Sequence, residues 1–333
     1  MLLATVALAL VLVVIVAFAI RAALTPPPST TPGTVAPAGA STDATTRSID
    51  TINAALAAAD EYLRSGQYVN AGVILDRAAK KFPDDRQLRE IYAASLLGQQ
   101  RPADALVQLE EALRIGPPTV KLYMDAGVVA NQAGKTDRAA ELLSLGALKD
   151  PTEPQLPLYL AMVQIKQGKD AAATASLVKA LRIKDDLPEA WGTLAELSLK
   201  SNDLSLARQH VGKARALQPE SIRWRTVEAK IAKREGNAHG AIALLQAFDP
   251  EDLYKASALS TLADAMAMDG KVLGAARLYS QAAITVATDA DLYYQAGVFF
   301  KRAGDTSMAE ASARMALELR HAKAREFLDD MRK

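Results

Sequence analysis

From Ile52 onward the chain returns to the same pattern every 34 residues, eight times and without slippage. Few sequence features constrain a fold as hard, because a fixed period of this length means stacked copies of one supersecondary unit. With Ile52 as position 1, position 20 reads Ala71, Ala105, Ala139, Ala173, Ala207, Ala241, Ala275 and Ala309. Position 8 is Ala or Gly throughout, from Ala59 to Gly297, and position 27 is small everywhere except at Phe248. Position 24 is mostly large, as at Leu75, Leu109, Leu143 and Leu177. Position 15 reads Gly66, Gln100, Gly134, Gly168, Asn202, Gly236, Gly270 and Gly304. Gly and Asn are the residues that tolerate a left-handed helix end. Pro83, Pro117, Pro151 and Pro219 share position 32, where a helix must stop.

These columns predict two helices per repeat, joined by a turn at position 15. Small residues at positions 8, 20 and 27 let the backbones approach, and the large residue at 24 fills the space left between them. One repeat cannot bury its own apolar face; stacking does so. The predicted array runs over residues 49–323, with repeats starting at 52, 86, 120, 154, 188, 222, 256 and 290. Residues 324–333 read as a capping helix, with Phe327, Leu328 and Met331 on one face. Repeat six departs from the pattern: its second helix is expected to end early at Asp249-Pro250, with Phe248 at a normally small position.

The pattern resembles the tetratricopeptide repeat family. The best single match is "PEAWGTLAELSLKSNDLSLARQHVGKARALQP", residues 188–219, with Trp191, Leu194, Ala195, Ala207, Ala214 and Pro219 at positions 4, 7, 8, 20, 27 and 32. The resemblance implies an all-α fold, a right-handed α-solenoid of about eight helix-turn-helix repeats. It says little about the process served, since the family acts as a scaffold in many unrelated settings.

Residues 2–20, "LLATVALALVLVVIVAFAI", carry no charge, and as a helix they would span about 28 Å, close to the roughly 30 Å bilayer core. Residues 1–24 therefore read as one transmembrane anchor that would hold the protein at a cell membrane. Ala17-Phe18-Ala19 has the form of a signal-peptidase site, so export after cleavage is the alternative. Arg21 places the repeats in the cytoplasm by the positive-inside rule. Residues 25–48 are a Pro/Thr/Ser-rich linker that cannot form a core, of a kind common outside the cytoplasm. The side of the membrane stays open.

Enzyme chemistry finds no footing. Gly134-Lys135-Thr136 ends like a phosphate-binding loop, but the loop needs a first Gly where Val129 stands, and a strand before it. The chain has no Cys, and His210, His239 and His321 fall in different repeats without metal-ligand spacing. The net charge of +1 gives no nucleic-acid footprint. We therefore expect no catalytic residues, no cofactor and no metal.

The resemblance further implies that positions 2, 5, 9, 12 and 13 of each first helix line a concave groove. Here they supply Met124, Val128, Asn131, Leu158, Met162 and Ile165 from repeats three and four. Met side chains there would suit an adaptable peptide or helix site, although such residues also pack between repeats. Repeat six supplies Arg223, Lys230 and Lys233 with Arg234, and repeat eight Lys301 and Arg302, as an attraction for acidic segments or simply as solvated faces. The Lys and Asn set of the subtype that grips C-terminal carboxylates is missing: Asp125 stands where that clamp needs Arg. The expected function is a membrane-tethered scaffold that captures a protein or peptide partner. The alternative is an envelope-assembly component that self-associates as a homo-oligomer through the array.

Overall fold

The computed structural model describes residues 51–248 and 256–331. The anchor of residues 1–24, the linker of residues 25–48 and the Asp249-Pro250 break lie outside the described residues. Every regular element among the described residues is a helix. The chain divides into two compact bodies, Met1–Ile183 and Lys184–Lys333.

The first body holds α1 (Ile52–Arg64), α2 (Tyr68–Lys81), α3 (Arg86–Gly98), α4 (Pro102–Arg114), α5 (Val120–Gln132), α6 (Thr136–Lys149), α7 (Gln155–Lys166) and α8 (Asp170–Ile183). These are the helix pairs of repeats one to four, each packed on the next. Ala71, Ala105, Ala139 and Ala173 are fully buried, as are Leu75, Leu143 and Leu177. Each buried Leu contributes about 1.5–3 kcal/mol relative to exposure. Gly127 shows why its column must stay small: a Cβ there would meet Leu143 Cγ at 2.6 Å.

The second body holds α9 (Pro188–Lys200), α10 (Leu204–Leu217), α11 (Ile222–Arg234), α12 (Ala238–Gln246), α13 (Ala256–Met268), α14 (Val272–Thr285), α15 (Ala290–Arg302), α16 (Thr306–Glu318) and α17 (Ala324–Met331). Helix α12 has 9 residues where α10 has 14. Phe248 follows it half-buried against the core, with the Arg225 guanidinium 4.8 Å from its ring centre. Helix α17 buries Ala324 and Leu328, while Phe327 and Met331 are half-buried. Tyr294 of α15 meets the edge of the Phe327 ring at 5.8 Å.

Two kinds of local chemistry fix the helix ends. Thr51, Asp85, Thr119, Ser221 and Asp289 each accept a backbone N–H from the first turn of the following helix. They share position 34. At position 15 all eight residues have φ between 59° and 84°. After α5, Gly134 N–H donates to Asn131 O at 3.1 Å and Lys135 N–H to Ala130 O at 2.8 Å, which satisfies the last carbonyls. Gln100 adopts the same geometry, at φ 59°, without being Gly. A left-handed conformation costs a side chain with a Cβ about 1–2 kcal/mol. Gln100→Gly is therefore expected to stabilise the chain by about 1 kcal/mol, read as a higher urea midpoint at unchanged slope. An unchanged or lower midpoint would show that the Gln side chain offsets its backbone strain.

Candidate partner-binding groove

In the first body, α3, α5 and α7 are the first helices of successive repeats. Met124, Val128 and Asn131 of α5 and Met162 and Ile165 of α7 are all half-buried. Leu158 is only 5% exposed and belongs to the interior, so it drops out of the groove surface. Of these, Val128, Asn131 and Met162 line a crevice of about 30 Å³, together with Gln132, Leu143, Tyr159 and Val163. That exceeds the room one water needs, and its walls are mostly apolar. Its floor is the fully buried Leu143 of α6. Asn131 has two acceptors in different states: its main-chain O accepts from Lys166 Nζ at 3.0 Å, while its buried Oδ1 has no partner among the described residues.

The polar residues beside the strip are acidic as well as basic. Asp125 of α5 is 6% exposed and ion-paired with Lys121 one turn earlier. Burial lifts its carboxyl above the usual carboxylate range, and Lys121 offsets only part of that. Glu90 of α3 is half-buried too, and burial raises its carboxyl in the same direction. The folded Asp125 thus keeps its proton to higher pH than the unfolded chain does, and stability falls as pH rises from the ordinary carboxylate range through the raised value. Asp125→Asn removes that fall. The variant is expected to match the parent at about pH 3 and to melt higher at about pH 7, by thermal denaturation across that range. A variant that melts lower at both ends would show the Lys121 pair to be the larger effect.

In the second body, the basic residues of α11 are mostly spoken for. Arg223 pairs with Glu196 of α9 at 2.8 Å, and Lys233 pairs with Asp264 of α13, which also accepts the Tyr279 hydroxyl. Lys230 donates to Ser257 Oγ at 2.8 Å, and burial holds its amine below the usual lysine range. Arg234 donates to Asn202 Oδ1 at 3.1 Å. Lys301 pairs with Asp330 of α17 at 2.7 Å, and Arg302 lies over the Phe299 ring. The sequence reading of an acid-attracting patch therefore meets a surface already largely neutralised. Leu273, Arg277, Phe300 and Met308 border an open depression of about 610 Å³ in this body.

No group of His, Asp and Glu residues that could hold a metal is found among the described residues. His210 lies 3.2 Å from Ser198 Oγ, but that hydroxyl gives its proton to Leu194 O at 2.8 Å and is not aimed at the imidazole as a nucleophile would be. His321 stacks on Tyr294 at 4.1 Å, and His239 pairs with Asp269 at 3.0 Å.

Residues 164–231 match the family model described as "Tetratricopeptide repeat". No curated protein matches the sequence. Among solved structures, the chain is similar to one from the Cut9–Hcn1 hetero-tetramer of the APC/C, with a TM-score of 0.62 and 14% identity over 85% of this chain. It spans 56% of the length of that chain. A tetratricopeptide repeat protein from Parabacteroides merdae superposes at a TM-score of 0.59, with 17% identity over 74% of this chain and 99% of its own. Yeast Tom70 gives 0.57, with 14% identity over 86% of this chain and 65% of its own. These likenesses establish the all-helical tetratricopeptide fold.

Proposed function

We propose that the chain is a non-enzymatic scaffold that captures a peptide or helix of a protein partner on α3, α5 and α7 of the first body. One observation carries this reading: Val128 and Met162 line a crevice floored by Leu143, with Met124 and Ile165 half-buried on the same two helices. Tetratricopeptide-like folds generally mediate protein–protein interactions. Flexible Met side chains on such a strip adapt to more than one apolar partner surface.

Tethering completes the proposal. No helix among the described residues is long and apolar enough to cross a membrane. The uncharged run of residues 2–20 supports a single anchor, and the linker of residues 25–48 gives the repeats reach. An anchored scaffold raises the effective concentration of whatever it binds near the bilayer. Fractionation with protease protection, and mass spectrometry of the N-terminus, separate a cytoplasm-facing anchor from an exported, cleaved form.

The groove is tested in the full-length chain with Val128→Asp and Met162→Asp together. Partner recovery is expected to fall at least about tenfold, a loss of about 1.4 kcal/mol, with helicity unchanged by circular dichroism. Unchanged recovery would sink the groove reading. The second reading, self-association, draws on exposed apolar side chains of α6, where Leu148 is 79% and Leu145 38% exposed. Light scattering that grows with concentration, and that Leu148→Lys abolishes, would favour it.

A further inference from the structure

The strip on the first body carries two hydrogen-bond acceptors that no described residue satisfies. Glu90, at position 5 of repeat two, is half-buried and has no hydrogen bond or ion pair among the described residues. Both nearby cations are engaged elsewhere: Lys121 is paired with Asp125, and Arg86 gives its Nη2 to the Ile115 carbonyl. Asn131, at position 12 of repeat three, has its buried Oδ1 unpaired at the wall of the crevice. A half-buried carboxylate or amide oxygen without a donor carries an unmet desolvation cost. Donors on the same surface are Arg86 Nε, buried and without a partner among the described residues, and Lys166, which gives its Nζ to the Asn131 main-chain O. A half-buried carboxylate thus stands on the first helix before the apolar strip.

We propose that the occupant of this groove is a cationic amphipathic segment of a protein partner, whose apolar side chains cover Val128 and Met162 while a Lys or Arg reaches Glu90. This rests on the groove reading above and adds the chemistry of the partner. A neutral segment would cover the apolar strip and leave Glu90 desolvated without a donor. An acidic one would add repulsion to that cost.

The test uses three synthetic helical peptides of equal length, with one shared Leu stripe and polar faces of Lys, Gln or Glu. Their binding to the full-length chain in a neutral detergent is read by fluorescence anisotropy. The Lys peptide is expected to bind at least about tenfold more tightly than the Glu peptide. Glu90→Gln should cut its affinity about tenfold, Glu90→Lys should reverse the order of the peptides, and Val128→Asp should abolish binding of all three. If the Gln or Glu peptide binds as well as the Lys peptide and Val128→Asp still abolishes binding, the cationic assignment falls and groove capture stands. If no peptide binds, or if binding ignores Val128→Asp, both fall.

Discussion

Trp224→Ala is expected to lower stability by about 3–5 kcal/mol, the largest loss from any single truncation in the second body. Trp224 is 2% exposed and packs against Ala195, Leu199, Val211 and Ile231. Its indole N–H donates to Gln218 Oε1 at 3.1 Å, so truncation also strands a partner. The ring owes its place to Gly192: a Cβ there would come within 2.1 Å of the ring's Cζ3. The space left would be walled by Ala195, Leu199, Val211 and Ile231, each held by its own helix, so a cavity term adds to the transfer term. Repeats contact only their neighbours, so the damage should be local at first. Urea denaturation gives the size of the loss. Hydrogen exchange should place it in α9, α10 and α11. A loss under about 1 kcal/mol would mean that the site collapses, against the packing described here.

Leu143→Ala is expected to cost about 2–5 kcal/mol. Leu143 is fully buried, faces Gly127 across the α5–α6 contact and forms the floor of the groove crevice. Its removal opens that crevice downward. Stability and recognition should therefore part company: the variant is less stable, yet the deeper crevice can admit a larger apolar side chain. Melting temperature and peptide affinity, measured on one preparation, check both. A variant with lower stability and unchanged binding would show that the crevice is not part of the contact surface.

The helix pairs were legible because packing repeats as strictly as sequence does. An Ala that must touch a backbone in one repeat must touch it in the next, and the column at position 20 reports that directly. Less visible were contacts made between different positions of neighbouring repeats. Arg223 and Lys233 read as an exposed basic patch, yet their partners Glu196 and Asp264 lie 27 residues back and 31 ahead. Position 9 of one first helix meets position 2 of the next, and a scan for opposite charges at a spacing of 27 would have found the first pair. Leu158 read as groove surface because position 5 is treated alike in every repeat, while its neighbours in this body bury it. Glu90, at position 5 of repeat two, looks like any solvated acid; only the pairing of Lys121 with Asp125 and of Arg86 with the Ile115 carbonyl makes it distinctive. The position 34 cap column was present in the sequence as Thr51, Asp85, Thr119, Ser221 and Asp289, a signal for helix starts that the small-residue columns overshadow. Gln100 shows the opposite case, where the column and not the residue announces the left-handed turn.

The unbroken alanine column also governs how a gene for such a chain can change length. Within residues 51–183 each repeat offers its neighbours the same small faces in the same order. An in-frame loss or gain of 34 residues rejoins equivalent surfaces, whereas an error of one residue turns every side chain of the affected helix by about 100° and faces polar residues inward. Recombination between repeats is thereby filtered toward whole copies. Glu90 and Asn131 each occur once at their positions, so a copy added elsewhere lengthens the chain without duplicating the recognition surface. Length and specificity can drift independently.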